Sequence, residues 1–185
     1  HETSLGLINR LDLIDLLTSI VTRAALLVDT PHGYLSLVNP EGTLLEVRVG
    51  TGSFAGYIGY QLKPGEGMAG QVWQTGQPMR VDDYARWPHQ AAVFAQSDLH
   101  AIAAVPLKSG TQVIGVIGVG QIDPGVCFGD TDIEILLRFA ELASIALNNA
   151  NLYQALQQDI TERKRTEEIL RHAQETLAAT NQELQ

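Results

Sequence analysis

The sequence predicts an α+β fold, in which an antiparallel β-sheet is flanked by helices and a long helix lies at each end of the chain. Residues 131–185 contain no proline or glycine and begin with a capping pattern, which predicts a long final helix. Residues 101–108 and 112–120 are rich in β-formers and small apolar residues and are joined by Ser-Gly-Thr, which predicts a hairpin. Residues 62–78 combine turn, helix and cap signals in close succession.

Composition limits the classes of protein that this chain can belong to. It has 185 residues, 45% of them apolar, and a net charge of −9. It can therefore bury one core, and its acidic balance argues against a nucleic-acid partner. A single cysteine, Cys127, excludes a disulfide within the chain. No apolar run of about 20 residues and no signal peptide is visible, so we expect a cytoplasmic protein without membrane contact. Both ends lie inside helical patterns, so we also expect a fragment of a longer protein.

The first helix is predicted from Ser4, as its N-cap, to Val28. Its apolar residues recur at steps of three and four in one stripe, formed by Leu13, Leu16, Leu17, Ile20, Ala24 and Leu27. Leu5, Ile8 and Leu11 form a second stripe. A helix that is apolar on two sides needs two partners, here the sheet of its own domain and a neighbouring subunit. The alternative is a helix that one chain covers completely.

The next segments favour strands and turns. Tyr34–Asn39 and Leu44–Val49 are predicted as a hairpin joined at Pro40-Glu41-Gly42, and Met79–Val81 as a short strand. The glycines of Gly50–Gly59 favour a mobile loop. A phosphate-binding loop is the alternative, but the segment lacks the Lys-Ser/Thr pair that such a loop needs.

The central stretch, LKPGEGMAGQVWQTGQP, predicts a turn, a short helix and a cap. Pro64-Gly65 suits a type II turn, because glycine tolerates the positive φ required there. A helix is expected over Met68–Gln74, ended by Gly76. Gly70 inside this helix is unfavourable by about 1 kcal/mol relative to alanine, so its expected use is to bring the helix close to a sheet.

This stretch, followed by the AVPL and VIGVIGV strands, closely resembles a GAF domain from about Leu11 to Ala150. The resemblance implies a GAF-like antiparallel sheet flanked by helices. It divides the chain into an N-terminal dimerisation helix packed on the domain (1–30), the GAF core with the start of the last helix (31–150), and a coiled-coil signalling helix or linker to a further effector domain (151–185).

The last helix is expected to begin with Thr131 as N-cap and Glu134 reaching back to it. Two apolar stripes at three-four spacing favour a parallel coiled-coil dimer, and the polar segment Asp159–Glu168 between them is interpreted as a break in the phase of the repeat. A solvated, frayed tail is the alternative. The candidate dimer interface comprises Leu5, Ile8, Leu147, Leu170, Leu177 and Leu184. The DITERKR segment also resembles connectors between modules of bacterial signalling proteins.

A candidate ligand pocket is predicted around Arg86–His100, which has no clean periodicity. Its residues are aromatic or imidazole side chains suited to a lid over a small-molecule site, namely Tyr84, Trp87, His89, Phe94 and His100. Alternatively, the aromatic residues anchor a loop to the sheet. Neither histidine has a partner at metal-ligand spacing, so no metal site is predicted. No arrangement of residues indicates a catalytic site.

The resemblance also allows specific ligands to be weighed. Bilin-binding relatives attach the chromophore to a cysteine in the lid, where this chain has Leu99 before His100. Cyclic-nucleotide-binding relatives carry an Asn-Lys pair and then Phe-x-x-x-Asp-Glu; Phe128 and Asp132 match, but Ile133 replaces the glutamate and the pair is missing. Haem ligation by His89 or His100 remains open. The cofactor therefore stays unknown.

These observations predict a non-catalytic sensory or regulatory module. It would form a homodimer, respond to a small molecule or partner, and pass the change to a downstream effector in the same chain, such as the histidine kinase of a bacterial, for example cyanobacterial-type, two-component system. A ligand-free dimerisation domain is the main alternative. Free methionine sulfoxide reductases share the fold, but their chemistry needs a nucleophilic and a resolving cysteine, and this chain has one.

Overall fold

The computed structural model describes the backbone of residues 2–183 and the side chains of residue 10 and residues 12–183. Its helices and strands are, in order, α1 (Glu2–Leu27), β1 (Gly33–Val38), β2 (Leu45–Gly50), β3 (Gln61–Leu62), α2 (Gly67–Thr75), β4 (Met79–Val81), β5 (Ala101–Ser109), β6 (Gln112–Gln121) and α3 (Asp130–Glu183). Short 3-10 helices span Gly52–Tyr57, Tyr84–Arg86 and Ala92–Phe94. The chain divides into two compact units, residues 1–147 and 148–185.

The first unit is built on one six-stranded sheet in the order β3-β2-β1-β6-β5-β4. All of its strand pairs are antiparallel, so the predicted fold class and both predicted hairpins are confirmed. The central strands β1 and β6 pair from Gly33 with Val119 to Leu37 with Gly115. Because successive side chains of a strand point to opposite faces, each central strand contributes to two separate cores.

One face of the sheet, called the helix face below, packs against α1 and against the beginning of α3. Its core is almost entirely aliphatic and includes Leu17, Val21, Leu35, Ile117 and Leu136. Two residues of the predicted α1 stripe are not part of it, because Leu16 and Leu27 are 49% and 60% exposed. Their positions on the helix turn them away from the sheet while Leu17 and Val21 are covered.

The opposite face, called the aromatic face below, packs against α2 and the 3-10 helices. Its core contains Tyr34, Phe54, Tyr84 and Phe94 together with smaller apolar side chains. The rings contact one another edge-on or tilted, with centroids 4.8 Å apart for Tyr34 and Phe54 and 5.9 Å apart for Phe54 and Phe94. These separations lie in the range that favours aromatic pairs.

The turn, helix and cap expected from the central stretch are confirmed. Gly65 has φ 81° in a turn closed by a hydrogen bond from the Glu66 N–H to the Lys63 carbonyl. Gly76 ends α2 in the left-handed conformation, and its N–H donates to the Val72 carbonyl. The expected role of Gly70 was wrong in one respect: a Cβ there would lie 2.6 Å from the Lys63 carbonyl oxygen. Gly70 therefore brings α2 close to its own preceding turn, not to the sheet.

Three other expectations are corrected. Helix α1 already includes Glu2, so Ser4 lies inside it instead of capping it. Helix α3 begins at Asp130, and the Asp132 carboxylate, not Glu134, accepts the Gly129 N–H at 2.7 Å. The glycine-rich segment after β2 forms a 3-10 helix that buries Phe54, so it is not an irregular loop. The short aspartate reaches back where the longer glutamate was expected.

The second unit is the part of α3 from residue 148 onward, which is helical as far as Glu183. Its large apolar side chains are exposed; they are Leu152, Tyr153, Leu156, Ile160, Ile169, Leu170 and Leu177. Within the described part of the chain, no helix combines the length and the apolar character needed to cross a membrane.

Candidate functional site

A small cavity lies in the core of the aromatic face. It has a volume of about 20 Å³, which is enough for one ordered water molecule. Its apolar wall is formed by Val47, Phe54, Leu62, Met68, Phe94 and Ile102. Drug-sized ligands occupy pockets of about 300–1,000 Å³, so the cavity is small in this conformation.

Three hydroxyl-bearing residues line the cavity. Ser36 is fully buried, and its Oγ has no hydrogen-bond partner among the described residues. Tyr34 and Tyr84 lie beside it. The Tyr84 hydroxyl accepts a hydrogen bond from the Ala91 N–H at 3.3 Å. A buried hydroxyl without a partner costs about 1–3 kcal/mol, so the Ser36 Oγ is an exception that calls for a physical explanation.

Both tyrosine hydroxyls are held in the neutral form. Burial raises the pKa of Tyr34 well above its ordinary value, and the neighbouring Tyr84 raises it further. Burial likewise raises the pKa of Tyr84, an effect that the hydrogen bond from the Ala91 backbone partly offsets. Desolvation disfavours the phenolate, so each hydroxyl stays protonated.

The structure brings two of the five predicted pocket residues to this cavity, Tyr84 and Phe94. Trp87 packs outside it, with its ring 5.7 Å from Tyr84 and 5.4 Å from His89. His89 is exposed. His100 does not line the cavity either; its backbone is fixed by hydrogen bonds to Gln121 and from Tyr84, both 2.7 Å long. Trp87, His89 and His100 thus do not line this cavity, although Trp87 packs against the aromatic-face core. That they take part in a ligand pocket stays a prediction.

Two further observations concern metal binding and the reactivity of the cysteine. Among the described residues, no group of three or more His, Cys, Asp or Glu could hold a metal ion. Cys127 is exposed in the segment before α3. Desolvation and the charge and hydrogen bond of Asp82 raise the pKa of its thiol. Because the thiolate is the reactive form, this environment lowers the reactivity of Cys127 at neutral pH.

The residues of the predicted dimer interface differ in their exposure to solvent. Leu147 is buried in the helix-face core and 7% exposed, so its assignment to the interface was wrong: the chain covers this side chain itself. Leu170 and Leu177 are exposed, at 55% and 63%. The side chains of Leu5 and Ile8, and the whole of Leu184, lie outside the described residues.

Sequence reasoning missed Tyr34, Ser36 and Phe54 as cavity residues. A signal was available in β1, where Tyr34 and Ser36 are two residues apart and therefore face the same side, while Leu35 faces the other. A serine in the centre of an otherwise apolar strand is a polar group that must find a partner after burial. No comparable local signal marks Phe54, because its ring packs against Tyr34 and Phe94, which are distant in sequence.

Comparisons with known proteins agree with this architecture. The family model described as GAF_2, GAF domain, matches residues 10–148. The GAF domain of a phosphoenolpyruvate-protein phosphotransferase from Coxiella burnetii superimposes with a TM-score of 0.69 at 18% identity, covering 77% of this chain and 86% of that one. A type II free methionine-R-sulfoxide reductase from Thermoplasma acidophilum gives a TM-score of 0.60 at 15% identity, covering 74% and 96%.

A dual 3',5'-cyclic-AMP and -GMP phosphodiesterase 11 from Drosophila melanogaster is 30% identical over 100 residues, which are 52% of this chain. The chain spans only 7% of the length of that relative. At these identities the solved structures establish the fold alone, whereas the family match extends over most of the chain. The protein is therefore a member of the GAF domain family.

Proposed function

We propose that this chain is a non-catalytic sensory or regulatory module that pairs with a second copy through α3 and passes a change to a downstream effector domain. GAF domains are commonly modules of this kind. The observation that carries the pairing is the exposure of large apolar side chains at heptad spacing along α3. Contiguous exposed apolar surface on a soluble domain marks an interaction site.

In the first unit, α3 is apolar on two sides. Leu136 and Leu147 are buried against the sheet, whereas Leu142 and Ile145 are 52% and 56% exposed. The chain itself therefore covers one stripe and leaves the other. Leu142 and Ile145 are three residues apart, which is the spacing of the a and d positions of a coiled coil.

The same heptad count extends into the second unit. The a positions are then Leu142, Asn149, Leu156, Arg163, Leu170 and Leu177, and the d positions are Ile145, Leu152, Asp159, Thr166, Ala173 and Thr180. Counted from this stripe, the segment 159–168 keeps its phase and changes only its polarity, which replaces the earlier interpretation of a phase break. Asn149 at an a position favours parallel, in-register pairing, because only then does it meet its own copy.

The test compares sedimentation of the wild type with that of Leu156→Lys/Leu170→Lys. We expect a dimer for the wild type and a monomer for the variant. The interface formed by the a and d positions of α3 is called the seam below, and the variant would place two lysines of each helix in it. Gln154→Lys/Gln158→Lys adds the same charge at positions outside the seam and should remain dimeric. A wild type that sediments as a monomer at high concentration would contradict the pairing.

Orientation needs a separate measurement. In a Cys127→Ser background, Leu156→Cys should form an intermolecular disulfide under mild oxidation, because a positions of parallel strands lie side by side. Gln158→Cys, outside the seam, should cross-link far less. Equal cross-linking of both variants would argue against a parallel seam.

The small volume of the cavity favours a second candidate function, a ligand-free dimerisation spacer. A cavity of about 20 Å³ also leaves no room for a cyclic nucleotide or a haem without rearrangement, so neither is part of the proposal.

The coupling to an effector such as a bacterial histidine kinase is supported by the family and by the resemblance of the DITERKR segment to connectors. This step is tested by attaching a histidine kinase domain after residue 185. The autophosphorylation of that kinase domain is then compared between the wild-type chain and Leu156→Lys/Leu170→Lys.

A further inference from the structure

Charged side chains interrupt the apolar seam of α3. Among the a and d positions of residues 142–180, two are charged, Asp159 at d and Arg163 at a. In the single chain their side chains are 57% and 77% exposed, and the Arg163 Nε lies 3.2 Å from the Asp159 Oδ2. Pairing through the seam would take both groups out of water, which is unfavourable unless opposite charges meet there. The charges across the seam therefore decide whether this stretch can pair.

A parallel, in-register second copy supplies acidic neighbours for Arg163. In such a seam each a side chain fits between four residues of the facing helix, namely the preceding d and g and the a and d of its own level. For Arg163 these are Asp159, Glu162, Arg163 and Thr166 of the second copy. The Thr166 hydroxyl donates to the Glu162 carbonyl of its own helix at 3.0 Å, so it needs no partner across the seam. Each arginine can thus reach two carboxylates of the other copy.

Acidic side chains otherwise dominate this level of the seam. Glu162 at g and Glu167 at e flank it, and in a parallel pair the g positions of one helix face the e positions of the other. With Asp159, three carboxylates from each copy come together. Arg163 is the basic group that lies among them, because residues 164–165 occupy the outward b and c positions. Arg163 is therefore the group on which close approach of the two acidic surfaces depends.

The same charges disfavour a shifted register. If one helix slipped by a heptad, one of the two arginines would lie between Thr166, Ile169, Leu170 and Ala173 of the second copy. None of these four residues is acidic, so Arg163 would be desolvated in the seam without an opposite charge from the other helix. A different coiled coil with apolar residues at this level would incur the same penalty. The charges thus favour one register and a partner with the same charge pattern.

We propose that residues 159–166 form a self-recognition segment of the seam, in which Arg163 of each copy binds Asp159 and Glu162 of the other copy. This inference rests on the proposed pairing through α3 and adds the chemistry that selects the partner, a second copy of this chain in one register. The apolar a and d residues on both sides provide the affinity. The charged segment provides specificity, as polar a positions and flanking charges do in other coiled coils.

The test mixes two variants of opposite charge. Arg163→Glu makes this level of the seam acidic in both copies, and Asp159→Arg makes it more basic. Each variant alone should pair about tenfold or more weakly than the wild type, because like charges then meet in the seam. One of the two carries a fluorescent tag at its N-terminus, so that sedimentation follows that chain alone. Dissociation constants are obtained for each variant by itself and for the mixture.

The mixture should form a heterodimer that is about tenfold or more tighter than either homodimer, since opposite charges meet again between the two copies. Both substitutions break the Asp159–Arg163 pair within one helix, and they break it equally in the homodimers and in the heterodimer. A gain on mixing therefore reports contacts between copies and no effect within one helix. Absence of this gain would overturn the proposal.

Two control variants move the same charges out of the seam. Lys164→Glu, at a b position, makes the charge change of Arg163→Glu one residue further along the helix, and Glu168→Arg, at an f position, adds the charge of Asp159→Arg. Each should pair like the wild type, and mixing the two should give no gain. An equal gain for this control mixture would show that general attraction between helices acts in place of the seam contacts, which would also overturn the proposal.

The outcomes separate this inference from the proposed function. If the wild type is a dimer and Leu156→Lys/Leu170→Lys is a monomer while the mixture shows no gain, self-recognition is lost and pairing through α3 remains. A wild type that is a monomer at high concentration contradicts the pairing itself.

Discussion

The two faces of the sheet differ in how completely they are packed. The helix face is aliphatic, and its core residues Leu17, Leu35, Ile117 and Leu136 are fully covered. The aromatic face uses large rings, leaves a cavity and leaves the Ser36 hydroxyl unpaired. Uniform aliphatic packing is typical of a core that stabilises the fold, whereas binding sites are typically apolar cavities with a few polar groups. The same strands thus supply one fully covered layer and one layer that contains a cavity.

The largest expected effect is a truncation on the helix face. Leu136→Ala should lower the free energy of unfolding by about 3–5 kcal/mol, because a close-packed surrounding collapses little around the lost side chain. Leu62→Ala, at the wall of the existing cavity, should cost less, about 2–3 kcal/mol, since part of its contact surface is already missing. Urea denaturation of both variants measures the difference. Equal losses would remove the proposed contrast between the faces.

A second effect concerns the contact between β1 and β6 on the aromatic face. A Cβ at Gly118 would lie 2.4 Å from the Tyr34 ring. Gly118→Ala should therefore displace the ring and destabilise the protein by about 1–3 kcal/mol. Gly56→Ala is the control, since a Cβ there meets nothing within 4 Å, and it should change stability by less than about 0.5 kcal/mol. Thermal unfolding resolves the two, and a tolerated Gly118→Ala would show that the ring is free to move.

The smallest effect appears only in alkali. Tyr34 has a raised pKa in the folded state, so it binds its proton more tightly there than in the unfolded chain. The contribution of Tyr34 to the free energy of unfolding is fully present below about pH 10. It is lost as the pH rises above that value, with a slope of up to about 1.4 kcal/mol per pH unit.

Tyr34→Phe should remove the part of the loss of stability above about pH 10 that comes from this one ionising group. It should leave stability at neutral pH nearly unchanged. Tyr153→Phe, which removes the hydroxyl of an exposed tyrosine on α3, is the matched control. Denaturant midpoints between pH 7 and pH 11 are the measurement. A Tyr34→Phe curve that coincides with that of the wild type would mean that Tyr34 is accessible to solvent.

Features set by a few neighbouring residues could be predicted from the sequence. The turn at Gly65, the cap at Gly76 and the β5–β6 hairpin depend on local backbone preferences, and the structure has all three. Phe54 could not be predicted, because its burial depends on ring contacts with residues distant in sequence. The same limit applies to α3, where apolar spacing alone cannot tell that Leu147 faces the sheet and Leu142 faces solvent.

The place of Ser36 in the chain has a mechanical consequence. Its neighbours Leu35 and Leu37 point to the helix face, where Leu35 belongs to the same core as Leu136. A molecule that pushed the Ser36 backbone by a fraction of an ångström would shift those leucines by a similar amount, since one strand carries all three. Binding on one side of the sheet would then change the packing of the core beneath α3 without a hinge or a moving domain.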